Sequence, residues 1–241
     1  MKVSHHHKYV FVELPQTASS AVGLELVENY GAENFKQKHA LFHEFKRKMG
    51  SKAEEYFVFS AIRNPIDVVV SKYLKYLNNH HNYHSANRRN MNGRIDRIIS
   101  PIRENGRYNW IQKNNADFES FFFKYFKYPF TNWSVVENHQ FDYIMRFENI
   151  RNDFAEALGK IGLDLVRELP VRNKTDDKAP SHTYFQSQKA RDHAVYIFGP
   201  FMELWGYKFP DEWGDVSICA KSQKAFERIN KLKTVYWKHF H

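Results

Sequence analysis

The sequence predicts an α/β fold, a central parallel sheet flanked by helices, and three observations carry that prediction. Two short apolar runs, Tyr9 to Leu14 and Tyr56 to Ile62, each pass through a polar turn into an amphipathic stretch. A third run, Phe141 to Phe147, alternates as a strand does and also leads into helical spacing. The 241 residues suffice for one sizeable domain, and 42% hydrophobic with 17% aromatic side chains suffices for a packed core. We expect that domain over residues 1–215, with 216–241 as a basic C-terminal helix or tail.

Each element has a local reason. Tyr9 to Leu14 is mostly apolar, as suits the buried centre of a parallel sheet, and Pro15 closes it. Ser19 or Ser20 can cap the next helix, in which Val22, Leu24, Leu26 and Val27 supply apolar contacts and Gly31 is the stop. Residues 33–55 are charged and read as helical, with Leu41, Phe42 and Phe45 as an inward stripe. After the strand Tyr56 to Ile62, Asn64-Pro65 opens a helix. Its Ile66, Val69, Val70, Tyr73, Leu74 and Leu77 share one face.

The character changes over residues 78–115, a stretch rich in asparagine that carries His80, His81, His84, Arg88, Arg89, Arg94, Arg97, Arg103 and Arg107. It reads as a solvent-facing insertion or lid with a short helix near Ile95–Ile99. Phe118 to Phe126 reads as an aromatic helix suited to core packing, and a helix reaching Ile161 follows the third strand. A polar loop from Lys174 to Ser187 and a helix from Ala190 to Gly206 complete the domain, and Lys221 to His241 reads as a basic helix.

With 36 basic against 27 acidic side chains the formal charge is +9, which suits an anionic partner: a phosphorylated nucleotide, an acidic glycan, nucleic acid or a membrane surface. Cys219 is the single cysteine, which excludes an intrachain disulfide and a Cys-based zinc site. The spacing of His80, His81 and His84 would suit a metal on a helix, but the surrounding asparagines argue against one, and no metal is expected. The amino terminus has no apolar signal core, and no apolar run approaches the roughly 20 residues that span a bilayer. A soluble, cytoplasmic protein is the expectation.

Two segments carry chemistry. Leu14-Pro-Gln-Thr-Ala-Ser-Ser20 and Ile62-Arg-Asn-Pro-Ile-Asp-Val-Val-Val-Ser-Lys-Tyr73 each set polar groups between a strand and a helix. There, free N–H groups and the helix dipole favour bound phosphate. The Gly-x4-Gly-Lys-Ser/Thr spacing of an ATP-type P-loop is absent.

Together these segments resemble the sulfotransferases that use PAPS (3′-phosphoadenosine 5′-phosphosulfate). The first stands where that family carries a Pro-Lys-Thr/Ser-Gly-Thr/Ser-Thr-like loop, and its Thr-Ala-Ser wording is similar to that of hexuronic-acid 2-O-sulfotransferases. Weaker echoes are Met145-Arg-Phe-Glu-Asn-Ile150, Leu169-Pro-Val-Arg-Asn-Lys-Thr175 and Trp205-Gly-Tyr-Lys-Phe-Pro210, so the resemblance covers nearly the whole chain. It implies a P-loop NTPase-like three-layer sandwich, PAPS as sulfuryl donor, PAP as product and a hydroxyl acceptor. Gln16, Thr17, Ala18, Ser19 and Ser20 would hold the donor's 5′ end, and Arg63 with Ser71 its 3′-phosphate. Asn173 and Lys174 would also contact the nucleotide.

His39, in Lys38-His-Ala-Leu-Phe-His43, is similar in position to the family's catalytic histidine region. It is the first candidate for general base, with His43 second and Glu13 or Glu44 as carboxylate alternatives. Two departures stand out: Ala18 replaces the common glycine, a change read as benign, and Gln16 replaces the lysine that steadies the leaving phosphate. Glutamine still donates an N–H, but losing the charge costs roughly 3–4 kcal/mol of transition-state stabilisation by analogy with an oxyanion-hole deletion. Lys36, Lys38, Lys52 and the lid arginines are substitutes that the sequence does not rank. An anionic carbohydrate fits the charge of the acceptor side, although a lipid or a small alcohol fits the chemistry too. The rival reading is a weakened or inactive protein of the same fold that binds nucleotide or an anionic glycan. Nucleic-acid binding through the basic lid and tail is a third reading, and no recognised motif supports it.

Overall fold

The described residues form five strands and nine α-helices, divided between two compact units. The structure is a computed structural model, described for residues 1–79, 95–170 and 179–240 without the side chains of 95–102 and 237–240. The strands are β1 (Lys2–Ser4), β2 (Tyr9–Val12), β3 (Glu33–Asn34), β4 (Phe57–Ile62) and β5 (Tyr143–Arg146). The helices are α1 (Ser19–Asn29), α2 (Phe42–Met49), α3 (Pro65–Leu77), α4 (Ile95–Asn114), α5 (Phe118–Tyr125), α6 (Ser134–Glu137), α7 (Ile150–Lys160), α8 (Gln188–Leu204) and α9 (Ala220–Phe240).

The first unit (Met1–Asn64, Thr131–Lys174, Lys224–His241) contains the whole sheet, in the order β3-β1-β2-β4-β5. β2, β4 and β5 are parallel, with Phe11 beside Phe59 and Phe59 beside Tyr143. β1 is antiparallel to β2 and to β3, so four strands run one way and β1 the other. The α/β class therefore holds, with a mixed sheet in place of a wholly parallel one. Alternate residues of the central strands enter opposite cores. Tyr9, Phe11 and Phe59 pack with Leu26 of α1 and Phe154 and Leu158 of α7, whereas Val10, Val12 and Val58 pack with Phe42 and Phe45 of α2. Burial on both faces explains why β2 and β4 read as unbroken apolar runs.

Two expectations need correction. Residues 33–55 are not one helix: β3, a loop, α2 and a 3₁₀ segment (Gly50–Glu55) share them, and left-handed Lys36 (φ 52°) and His39 (φ 64°) break any helix there. The helix near Ile95–Ile99 runs on to Asn114, and Ile111 is buried, so this part of the 78–115 stretch contributes to a core.

The second unit (Pro65–Phe130, Thr175–Gln223) is helical. Its core is the aromatic group that α5 was expected to supply: Phe122 and Phe118 meet Phe185 edge-on at 5.1 and 4.8 Å between ring centres. Gly199 in α8 is required by packing, because a Cβ there would lie 2.8 Å from Ile218. Among the described residues no helix is long and apolar enough to cross a membrane.

Candidate active site

The carboxyl ends of β2 and β4 lie side by side, with Val12 paired to Ser60 and the buried Ser60 hydroxyl donating to the Val12 carbonyl at 2.8 Å. Such strand ends are where open parallel sheets bind ligands. From β2 the chain turns through Glu13–Ala18 into α1. Thr17 Oγ1 donates to the Leu14 carbonyl at 2.9 Å, and both Gln16 (φ 67°) and Ala18 (φ 59°) are left-handed. Ala18, not a serine, is the N-cap; Ser19 and Ser20 are already helical, which corrects the expected capping. α1 thus starts with no side-chain cap and no acid in its first turn, leaving the positive end of its dipole unneutralised there. The exchange of glycine for Ala18 is also not free, since a left-handed alanine costs roughly 1–2 kcal/mol.

Around this turn stand three other groups of the same unit. Arg63, just past β4, donates from Nη1 to the Gln16 carbonyl at 3.2 Å, and its guanidinium lies 3.8 Å from the Phe147 ring centre. The neighbouring Asn64 N–H donates to Glu148 Oε1 at 2.7 Å. Gln16 is half-buried, and its Oε1 finds no hydrogen-bond partner among the described residues.

The β3–α2 loop brings Lys38 and His39. Lys38 Nζ donates to Ser20 Oγ at 2.7 Å, in the first turn of α1. Lys36 instead pairs with Glu44 at 2.8 Å, and Lys52 is exposed on the 3₁₀ segment. Of the three lysines, Lys38 is the one seen on the turn. His39 Nδ1 lies 2.8 Å from the Glu13 carbonyl. A carbonyl can only accept, so Nδ1 carries the hydrogen and Nε2 of the neutral ring keeps its lone pair. Burial lowers the His39 pKa below the ordinary imidazole value, and the nearby Lys38 charge lowers it further. The ring is therefore neutral at pH 7, oriented, and basic at Nε2.

The other base candidates are engaged elsewhere. His43 Nδ1 lies 3.6 Å from Glu137 Oε1, and that buried carboxylate also accepts the Phe42 and His43 N–H groups at 3.0 and 3.1 Å, capping α2. Glu44 accepts from Leu41 N–H and Lys36. Burial pushes its pKa up, but these partners hold it below the usual carboxylate value. Glu13 is 2% exposed and bonded to the Met1 nitrogen at 2.9 Å; Gly23 makes room for it, as a Cβ there would lie 2.8 Å from Glu13 Oε1.

Ser71 belongs to the second unit, on α3, and is 2% exposed. Asn173, Lys174, His80, His81, His84, Arg88, Arg89 and Arg94 lie outside the described residues. Among the described residues no group of three His, Cys, Asp or Glu could hold a metal. Set against protein families, characterised proteins and solved structures, the chain matches none.

Sequence reasoning missed Phe147, Glu148 and Glu137 as supports. The first two had a signal, because an aromatic and an acid directly follow β5, where a neighbouring strand end can use them. Glu137 had none: it reaches α2 from 95 residues away in sequence.

Proposed function

We propose that the protein is a sulfotransferase that moves a sulfuryl group from PAPS to a hydroxyl acceptor, on a P-loop NTPase-like three-layer sandwich in the cytoplasm. The observation that carries this reading is the placement of Lys38 and His39 on the two ends of the β2–α1 turn, Lys38 at Ser20 in the uncapped first turn of α1 and His39 at the Glu13 carbonyl. In the reaction the acceptor oxygen bonds to sulfur while His39 Nε2 takes its proton. The bond from sulfur to the 5′-phosphate oxygen breaks, and PAP leaves with the added negative charge. Lys38, the Gln16 amide and the α1 dipole meet that charge, so Lys38 supplies the cation that Gln16 lacks. Thr17, Ser19 and Ser20 surround the donor's 5′ end, and Arg63, steadied on Phe147, binds the 3′-phosphate through its planar fork. The excess of basic side chains suits an anionic carbohydrate as acceptor.

The test is thermal unfolding with PAP and, separately, with 5′-ADP. At a hundred times its dissociation constant a ligand stabilises by about 2.7 kcal/mol, roughly 5–10 °C for a chain of this size. A shift with PAP, little with 5′-ADP, and loss of the PAP shift in Arg63→Ala would support the nucleotide site; no shift with PAP would overturn the reading. Ser71→Ala, assayed in parallel, tests the hydroxyl that the family resemblance assigns to the same phosphate.

The uncharged Gln16 favours a second reading, a nucleotide-binding protein of this fold with weakened chemistry. It predicts a PAP shift with no consumption of PAPS by the native chain, and transfer gained in Gln16→Lys. Transfer by the native chain that falls in Lys38→Ala would exclude it.

A further inference from the structure

The helical unit holds a concentration of charge that the proposed transfer does not use. Lys72 on α3 and Arg103 and Arg107 on α4 all approach one carboxylate oxygen, Glu104 Oε1, at 3.5, 3.4 and 3.7 Å. The Tyr76 hydroxyl donates to the other oxygen. Three cations against one carboxylate leave a net charge of +2. Much of it is withdrawn from water: the side chains of Arg107, Glu104 and Lys72 are 16%, 18% and 24% exposed. Burial lowers the Lys72 pKa, and the two arginine charges lower it further against the opposing pull of Glu104. Arg107, whose guanidinium lies 5.2 Å from the Tyr125 ring centre, has a buried Nε with no hydrogen-bond partner among the described residues.

Nearby sequence offers no second carboxylate. Between Tyr76 and Arg107 the only acids are Asp96 and Glu104, and residues 80–94 contain none. Asp96 lies eight residues before Glu104 on the same helix, about 12 Å along the axis. A structural ion pair needs one cation for its carboxylate. Two further cations approach the same oxygen, Arg107 largely buried and Arg103 exposed, and their mutual repulsion is a cost that a bound anion would offset.

We propose that Lys72, Arg103 and Arg107 form an anion site of the helical unit that takes a sulfate or phosphate group. A doubly negative tetrahedral oxyanion matches the surplus charge, and it would accept from the buried Arg107 Nε–H, which has no acceptor among the described residues. The ammonium of Lys72 and the more exposed Arg103 supply the remaining donors. Glu104 opposes the ligand while holding the cations together in its absence. This site does not depend on the nucleotide reading.

Sodium sulfate and sodium phosphate are titrated separately into the full chain carrying Arg63→Ala and Lys38→Ala, which removes the donor-site cations. Sodium acetate and sodium chloride at matched ionic strength are the controls, and the Arg107 Nε–H resonance is followed by NMR. A saturable shift with sulfate or phosphate, absent with chloride and weaker with acetate, is expected, and the better binder of the two names the group. Arg103→Gln should weaken binding severalfold, and Arg107→Gln should abolish the saturable part of the thermal stabilisation by the same salts, leaving the non-saturable rise that excluded kosmotropes give any folded chain. Glu104→Gln raises the surplus to +3 and should tighten binding severalfold, a sign that a purely structural carboxylate does not predict. Equal responses to chloride and sulfate, or affinity unchanged in Arg103→Gln together with affinity lowered in Glu104→Gln, would mean an adventitious ion only and overturn the site.

Discussion

In the sheet unit the buried carboxylate of Glu137 faces two backbone N–H groups of α2, whereas in the helical unit Glu104 faces three cationic side chains. Main-chain donors satisfy a carboxylate without importing full positive charge, and their positions follow from the secondary structure itself. Side-chain cations import charge and must be held by packing. The candidate active site obeys the first rule. Its histidine is tethered to the Glu13 carbonyl, its arginine to the Gln16 carbonyl, and both carbonyls belong to the chain leaving β2. The helical unit obeys the second, and its order comes from stacked rings and a crowded charge cluster.

The largest effect is expected where main-chain tethering serves chemistry. His39→Ala should lower kcat/KM for sulfuryl transfer by roughly 10²–10⁴-fold with the PAP-induced shift retained. Because burial lowers the His39 pKa, the acid limb of the native rate profile should lie below the ordinary imidazole value of about 6.5. The sign for stability is the same. Above about 6.5 the ring is neutral in both states, and as pH falls toward the lowered folded pKa the unfolded chain binds the proton first and stability drops. A limb above 7 would remove His39 as base.

Next comes the helical core. Phe122→Ala should cost about 3–5 kcal/mol in urea unfolding, since Phe122 is fully buried among rings. If it produces a separate early transition while PAP still stabilises the remainder, the units are energetically distinct; one coincident transition would merge them. Glu137→Gln should cost a smaller amount, on the order of 1–2 kcal/mol, because it keeps the shape but loses charge-assisted bonds at a helix start. No change would break the contrast with Glu104. The smallest effect is a gain. Ala18→Gly should stabilise by roughly 0.5–1 kcal/mol, the left-handed penalty less the entropy cost of glycine, measured as a raised urea midpoint.

How much of this was legible follows from range and periodicity. β2, β4, α3, α5 and α8 announce themselves through apolar patterns, but β1 and β3 have three and two residues, too few to show alternation. The 33–55 stretch misled because its break depends on left-handed Lys36 and His39, residue types that give no turn signal. At the site, Arg63 and His39 could be nominated from residue type and position. What orients them could not, because carbonyl groups are present at every residue and carry no sequence mark. For the same reason Lys36, Lys38 and Lys52 were equivalent until the Lys38–Ser20 bond separated them.

The interleaving of the two units along the chain has a consequence for synthesis. β4 ends at Ile62, but the strand that covers its outer edge, β5, begins at Tyr143, and most of the intervening chain, Pro65–Phe130, belongs to the helical unit. A growing chain therefore leaves the ribosome with an apolar strand whose outer row of amide and carbonyl groups is unpaired while the helices emerge. Such an edge templates pairing with another nascent chain. The helices offer no early refuge, because α8 completes their own core and is made later still. Holding β4 apart during that interval falls to chaperones or to the pace of translation, and slow pairing of distant strands makes this protein more vulnerable while being made than once folded.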